Sequence, residues 1–208
     1  SEEVGLVLLT QAKAKGFDLV FTMGSESAAL VHKHYTNGAL PVVTSINKDP
    51  VTLGQVNSYT EGSGTNIATT TLNVPTDIQL NYLFQLNPGL KQVALLYNHN
   101  HKQVVATEVK PFRKAMMEQG IRVIDVTVES REKAREQLEK SLPKTMNLLR
   151  EVDPNLNHSI VWITSSTAIF SNLDIVSHYS KGVALVSTNP NAVKAGGESA
   201  VVAIGVDR

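Results

Sequence analysis

Five short polar clusters stand directly after strand-like apolar runs, and they carry the side chains best suited to chemistry. Met23-Gly24-Ser25-Glu26-Ser27 follows the first run and opens a helical stretch. Gly24 permits a tight turn, and the hydroxyl of Ser25 or Ser27 is placed to cap the helix. Free N–H groups at a helix start, together with the helix dipole, favour an anion such as a carboxylate. A plain helix cap would leave the same residues in the same places. The segment is not a phosphate-binding P-loop, because the Gly-Lys-Ser/Thr ending is missing.

The other four clusters repeat the theme. Asn47 and Asp49 lie in Ile46-Asn47-Lys48-Asp49-Pro50, whose residues also suit a simple turn. Asn98 stands in Tyr97-Asn98-His99-Asn100, Ser165 and Ser166 in Thr164-Ser165-Ser166-Thr167, and Asn189 in Ser187-Thr188-Asn189. In open α/β sheets, ligands bind outside the carboxyl ends of the strands. Five clusters on one edge predict a polar rim that orients a small molecule through hydrogen bonds.

Other chemistries find little support. There are no cysteines, which removes disulfides, thiolate metal sites and a Cys nucleophile. The six histidines are His32, His34, His99, His101, His158 and His178. The pairs His32/His34 and His99/His101 are spaced i, i+2, whereas helical zinc pairs need i, i+4 with a carboxylate. No metal site and no cofactor is therefore expected. A Gly-x-Ser-x-Gly elbow and a Gly-x-Gly-x-x-Gly fingerprint are both absent. Lys plus Arg equals Asp plus Glu at 19 each, so no charge footprint calls for nucleic acid.

The elements that must position these clusters are legible as well. The chain has 208 residues, 42% of them apolar, which supports a sizeable core. Aromatics are only 5%, and Val, Ile, Leu and Ala dominate the apolar mass, as buried parallel strands require. Strand-like runs occur at 19–23, 41–46, 66–72, 92–97, 122–128, 159–164, 183–187 and 200–206. Most are continuous rather than alternating, which predicts burial on both faces. Helical stretches lie at 4–15, 27–34, 77–86, 103–119, 131–152 and 171–180. Ile78, Tyr82 and Leu86 share one helical face, Pro111 should kink or restart its helix, and Pro143 should break the long charged one. Repeated βα units imply parallel sheets flanked by helices. Pro75 is a natural exit from one sheet to another, which divides the chain into residues 1–74 and 75–208.

Several segments resemble one family. DLVFTMGSES at 18–27, followed by LPVVTSINKDPV at 40–51, is similar to a pattern of ABC transporter substrate-binding proteins of the tryptophan/tyrosine-binding type. Gly64-Thr65-Asn66-Ile67, KQVALLYN at 91–98 and Gly205-Val206-Asp207 resemble further segments of that family, in the same order. The resemblance implies the type I periplasmic-binding fold: two Rossmann-like lobes, three crossing strands, and solute bound between them. It implies no catalysis and no cofactor.

Relative to the family, a strand and helix before residue 1 and helices after residue 208 are missing, so the first lobe should be incomplete. Both ends read as boundaries within a longer protein, and the open lobe could pair with a second copy. Arg131–His158 is longer than the family leads one to expect. Where the family often has an acidic residue after the strand at 159–164, this chain has Ser165-Ser166-Thr167.

The implied function is an extracytoplasmic binding protein, with or without a lipid anchor. It would deliver a small ligand, an amino acid or a similar polar or aromatic molecule, to an ABC permease. The candidate ligand-binding residues are Gly24, Ser25, Ser27, Asn47, Asp49, Asn98, Ser165, Ser166, Asn189 and Asp207, with Asp207 at the hinge. The rival readings are the sensing domain of a signalling protein and an enzyme on a Rossmann-like scaffold. A transmembrane helix beyond the chain would favour the first rival, and convergent acid/base residues would favour the second.

Overall fold

The computed structural model describes residues 2–71, 73–193 and 200–205. The chain divides into two compact units, Ser1–Asn73 and Val74–Arg208. Both are α/β, and every strand pair among the described residues is parallel. No helix among the described residues is long and apolar enough to cross a membrane.

Unit one runs α1 (Glu2–Ala12), β1 (Val20–Met23), α2 (Ser25–His34), β2 (Val42–Asn47) and β3 (Ile67–Thr71). Its sheet has the order β1-β2-β3, with Val20 opposite Val42 and Val42 opposite Ile67. One sheet face packs on the two helices, where Val42 and Ile67 meet Leu9 and Val31. The first strand departs from the expectation of burial on both faces. Its residues alternate, and Phe21 and Met23 are 57% and 60% exposed. An apolar run predicts two covered faces only if layers exist on both sides. Among the described residues, the helices of this unit pack against one.

Unit two begins with α3 (Thr76–Leu86) and β4 (Gln92–Asn98). A helical run follows, formed by α4 (Lys102–Val104), a π turn at Val105–Val109 and α5 (Lys110–Glu118). Then come β5 (Arg122–Val128), α6 (Arg131–Val152), β6 (Ser159–Ile163), α7 (Thr167–Phe170), α8 (Leu173–Tyr179), β7 (Ala184–Ser187), a 3-10 turn (Pro190–Ala192) and β8 (Val202–Ala203). The strand order is β5-β4-β6-β7-β8. The chain leaves β4 toward β5 and returns to the other side of β4 for β6. That reversal is the topological switch point of a doubly wound sheet.

Here the continuous apolar runs do mean two buried faces. Ala94, Leu96, Val161 and Ile163 pack with α6, α7 and α8. Val93, Leu95, Tyr97, Ile160 and Trp162 pack with α3 and α5 through Leu83, Phe112 and Met116. Alternate residues of one strand thus serve two separate cores.

Two helix expectations are corrected. Pro143 lies inside α6, which continues unbroken from Arg131 to Val152. Leu138, Leu142, Met146 and Leu149 are fully buried along one face, and this packing offsets the lost hydrogen bond and ring clash. In α3 the stripe Ile78, Tyr82 and Leu86 is exposed, whereas Gln79, Leu80 and Leu83 are buried. Two apolar faces competed there, and the one carrying Leu80 and Leu83 meets the sheet. The helix expected at 171–180 is α8, and the short α7 before it was not expected. Pro111 stands in the first turn of α5, which restarts at Lys110 directly after the π turn, one of the two outcomes expected for it. The turn before it takes the π form, closed by the Lys110 N–H donating to Val105 O, and Pro111 is tolerated in the first turn of the helix that follows.

Candidate functional site

In unit one, the carboxyl ends of β1 and β2 carry the predicted clusters. Gly24 adopts φ 89°, a left-handed conformation that glycine reaches at little cost, and turns the chain from β1 into α2. Its N–H donates to Ser45 O at 2.8 Å, fixing the turn to β2. The capping expectation is corrected here. Gly24 is the N-cap, and neither Ser25 nor Ser27 caps α2 with its side chain. The Ser25 hydroxyl is buried and instead accepts the backbone N–H of Lys48 at 3.0 Å. Ser27 Oγ donates back to Met23 O and Gly24 O at 2.5 and 2.9 Å, as a hydroxyl within the first helical turn can.

The end of β2 is strained. Ile46 has φ 55°, rare for a β-branched residue, and the register with β3 slips between Thr44 and Asn47. Such a bulge re-aims the following side chain. Asn47 is consequently buried, with its Nδ2 donating to Gln55 Oε1 at 2.5 Å. Its Oδ1 is buried without a hydrogen-bond partner. Asp49 closes the next turn by accepting from Val51 N, Thr52 N and Thr52 Oγ1. A groove of about 640 Å³, large enough for a small ligand, runs along β3. Its walls include Pro50, Tyr59, Ser63 and Asn66.

In unit two, the rim forms at the ends of β4, β6 and β7. Asn98 Oδ1 accepts from Asn100 N at 2.9 Å, and Asn189 Oδ1 accepts from Asn191 N at 3.1 Å. Both asparagines shape their own turns. Thr164 leaves β6 with its N–H and hydroxyl both donated to Leu96 O of β4, at 3.2 and 2.8 Å. Ser166 is buried beside it, and its hydroxyl has no hydrogen-bond partner.

Ser165 meets a residue that the sequence reading missed. Its N–H donates to Glu108 Oε2 at 2.9 Å, and its hydroxyl donates to Glu108 Oε1. Thr188 Oγ1, at the end of β7, reaches Glu108 Oε2 at 3.3 Å. Glu108 is itself buried, and it sits in the π turn. A carboxylate therefore does stand at the loop after β6, but it arrives from the segment that follows β4. The usable signal was Pro111 three residues on, because widened turns recur at functional sites. Gly205 adds to this corner. A Cβ there would lie 2.4 Å from Thr188 O, so only glycine allows the approach.

Asp207 lies outside the described residues. The structure thus brings Gly24, Ser25, Asn47 and Asp49 to one rim in unit one. It brings Asn98, Ser165, Ser166 and Asn189 to another in unit two, and Ser27 is turned toward the backbone of its own helix start. Among the described residues, no group of three or more His, Asp or Glu side chains could hold a metal ion.

No curated protein matches the sequence. Solved structures do share the fold. The chain is similar to an ABC domain in complex with L-Trp from Streptococcus pneumonia, with TM-score 0.67 and 20% identity over 95% of this chain and 62% of that one. It is similar to a conserved domain protein from Vibrio cholerae, with TM-score 0.66 and 12% identity over 91% of this chain and 59% of that one. A ligand-free, open substrate binding protein with adhesive properties from Clostridium difficile gives TM-score 0.60 and 17% identity over 90% and 59%. The chain therefore spans about three fifths of the length of each. Two parallel α/β sheets with polar strand ends agree with a family model that matches residues 2–208, and the chain belongs to the ABC transporter substrate binding protein family.

Proposed function

We propose that this chain is the solute-binding portion of an extracytoplasmic protein that delivers a small molecule to an ABC importer. The observation that carries the reading is the polar rim at the switch point of the unit-two sheet. Glu108, Ser165 and Thr188 converge there from three elements. Ligands of open α/β sheets bind at this place. Family membership supplies the class of function.

Gly24, Ser25, Asn47 and Asp49 in unit one, and Asn98, Ser166 and Asn189 in unit two, would hold and shape the loops that receive the solute. Ser27 and Asp207 belong to the same proposed set. Amino acids are the first solutes to consider, because one similar structure holds L-Trp. The protein would work by binding alone, with no chemical turnover, and a membrane permease would be its partner.

Thermal melting against a panel of amino acids, sugars and small carboxylates tests the proposal. One class should raise the midpoint with a concentration dependence that fits a single site. A solute at a hundred times its Kd adds about 2.7 kcal/mol. A panel with no stabilising member, or a solute that is chemically converted on incubation, would count against it. Mass spectrometry of material carried through purification would name the natural solute.

A further inference from the structure

We propose that Asn37 is a site of spontaneous covalent modification, where the side-chain amide is lost through a cyclic imide formed with the backbone nitrogen of Gly38. The site is independent of the solute-binding reading. It precedes the amino end of β2, whereas the polar rim of unit one stands at the carboxyl ends of β1 and β2.

The turn dictates the two residues. Tyr35-Thr36-Asn37-Gly38 leads out of α2 and is closed by the Gly38 N–H, which donates to Tyr35 O at 2.9 Å. Asn37, the third residue of this turn, has φ 61°. A positive φ at that position calls for Gly or Asn. The fourth residue must be glycine for a different reason. A Cβ on Gly38 would lie 2.6 to 2.7 Å from three atoms of the Tyr35 ring. That ring packs against the core of Leu9, Val31, Val42 and Ile67, so it is not free to yield.

Together these demands produce Asn-Gly, a pair that occurs nowhere else in the sequence. With no side chain on Gly38, nothing beside its nitrogen blocks approach to the preceding amide. The Gly38 nitrogen attacks Asn37 Cγ while its proton passes to a solvent base. The Cγ–Nδ2 bond breaks, and Nδ2 takes up a proton and leaves as ammonia. Water then opens the five-membered imide at either carbonyl and gives aspartate or isoaspartate. Water is the only co-reactant consumed.

Asn37 is exposed, so base and water reach it. The Gly38 N–H must first leave Tyr35 O. That single bond closes a surface turn, and local opening there costs far less than unfolding the unit. Reaction therefore proceeds in the folded protein. Asn57 and Asn155 are exposed as well, but Ser58 and Leu156 follow them and crowd the attacking nitrogen. They serve as internal comparisons.

The test ages the full chain in mildly alkaline buffer, with and without unfolding urea, and follows tryptic peptides by mass spectrometry. In the folded protein, Asn37 should lose its amide before Asn57, Asn155 or any other asparagine. Fragment ions of the peptide 34–48 should place the exchange of NH for O at Asn37 and not at the buried Asn47. Isoaspartate should be present at position 37, detected as a substrate for an isoaspartyl methyltransferase. Asn37→Gly, which suits the positive φ, should keep the fold and abolish the modification of this peptide. An amide at Asn37 that outlasts those at Asn57 or Asn155 overturns the proposal. Loss confined to the urea samples also overturns it, as does a product of aspartate alone, which would mean direct hydrolysis without an imide.

Discussion

Ser25 Oγ accepts the backbone N–H of Lys48 at 3.0 Å, so the first residue of α2 holds the loop that follows β2. This hydroxyl adds to the bond from Gly24 N–H to Ser45 O in fixing two rim segments of unit one to each other. Ser25→Ala leaves the Lys48 N–H without this acceptor in a buried corner. The cost should be about 1–3 kcal/mol of stability. Urea unfolding would measure it, and amide exchange at Lys48 should speed up more than exchange in the middle of β2. A loss confined to fraying of α2 would show that the bond contributes only locally.

The strain at Ile46 leads to an opposite sign. A β-branched side chain at φ 55° is held in a conformation that costs on the order of 1–2 kcal/mol. The side chain is partly exposed, so its removal sacrifices little burial. Ile46→Gly should therefore leave stability unchanged or raise it by up to about 1 kcal/mol, despite the extra freedom of the unfolded chain. An ordinary Ile→Gly change in a strand would destabilise instead. A destabilisation above about 1 kcal/mol in urea unfolding would mean that Ile46 packs more than its exposure suggests.

The sheet of unit two was legible because its strands advertise themselves. Val93 to Tyr97 and Ile160 to Ile163 are unbroken apolar runs, and the structure buries them on both faces. Unit one was less legible for the same reason. Phe21 and Met23 read like two-faced core residues, yet local sequence cannot say whether a second layer covers them.

The rim positions were visible as polar clusters at strand ends, but their roles were not. Hydrogen-bonding capacity is evident from residue type, whereas Asn98 and Asn189 spend theirs on their own turns. Glu108 was hidden because it sits mid-helix in sequence, ten residues after the strand end, and only the π turn and the packing of β6 against β4 bring it to Ser165.

His32 should make unit one sensitive to mild acid. Burial against the sheet holds its imidazole below the ordinary value of about 6.5. Its Nε2 lies 3.2 Å from Thr69 Oγ1. The unfolded chain then binds a proton before the folded one does, so stability rises with pH through this range. The contribution is fully present above pH of about 6.5 and declines as pH falls toward the depressed folded value. His32→Gln, which cannot titrate, should flatten the dependence between about pH 7 and 5. An equally steep profile in this variant would assign the acid sensitivity to another group.

Trp162 supplies a reporter confined to unit two. It is the only tryptophan in the chain, it is fully buried, and its ring stacks on Phe112 at a centroid distance of 4.3 Å. Its emission should be blue-shifted and poorly quenched by iodide in the folded protein, and should move red as this core opens. Phe112 joins α5 to the sheet face formed by Val93, Leu95 and Ile160. Phe112→Ala would remove a fully buried ring and leave a cavity against the indole, costing about 3–5 kcal/mol. Part of that cost is the stacking itself, about 0.5–1.5 kcal/mol beyond burial. Phe112→Leu retains most of the volume but not the stacking, and should recover the larger share. Tryptophan-detected urea unfolding of the three proteins separates the contributions. Equal losses in the Ala and Leu variants would place the energy in the aromatic pair rather than in the filled volume.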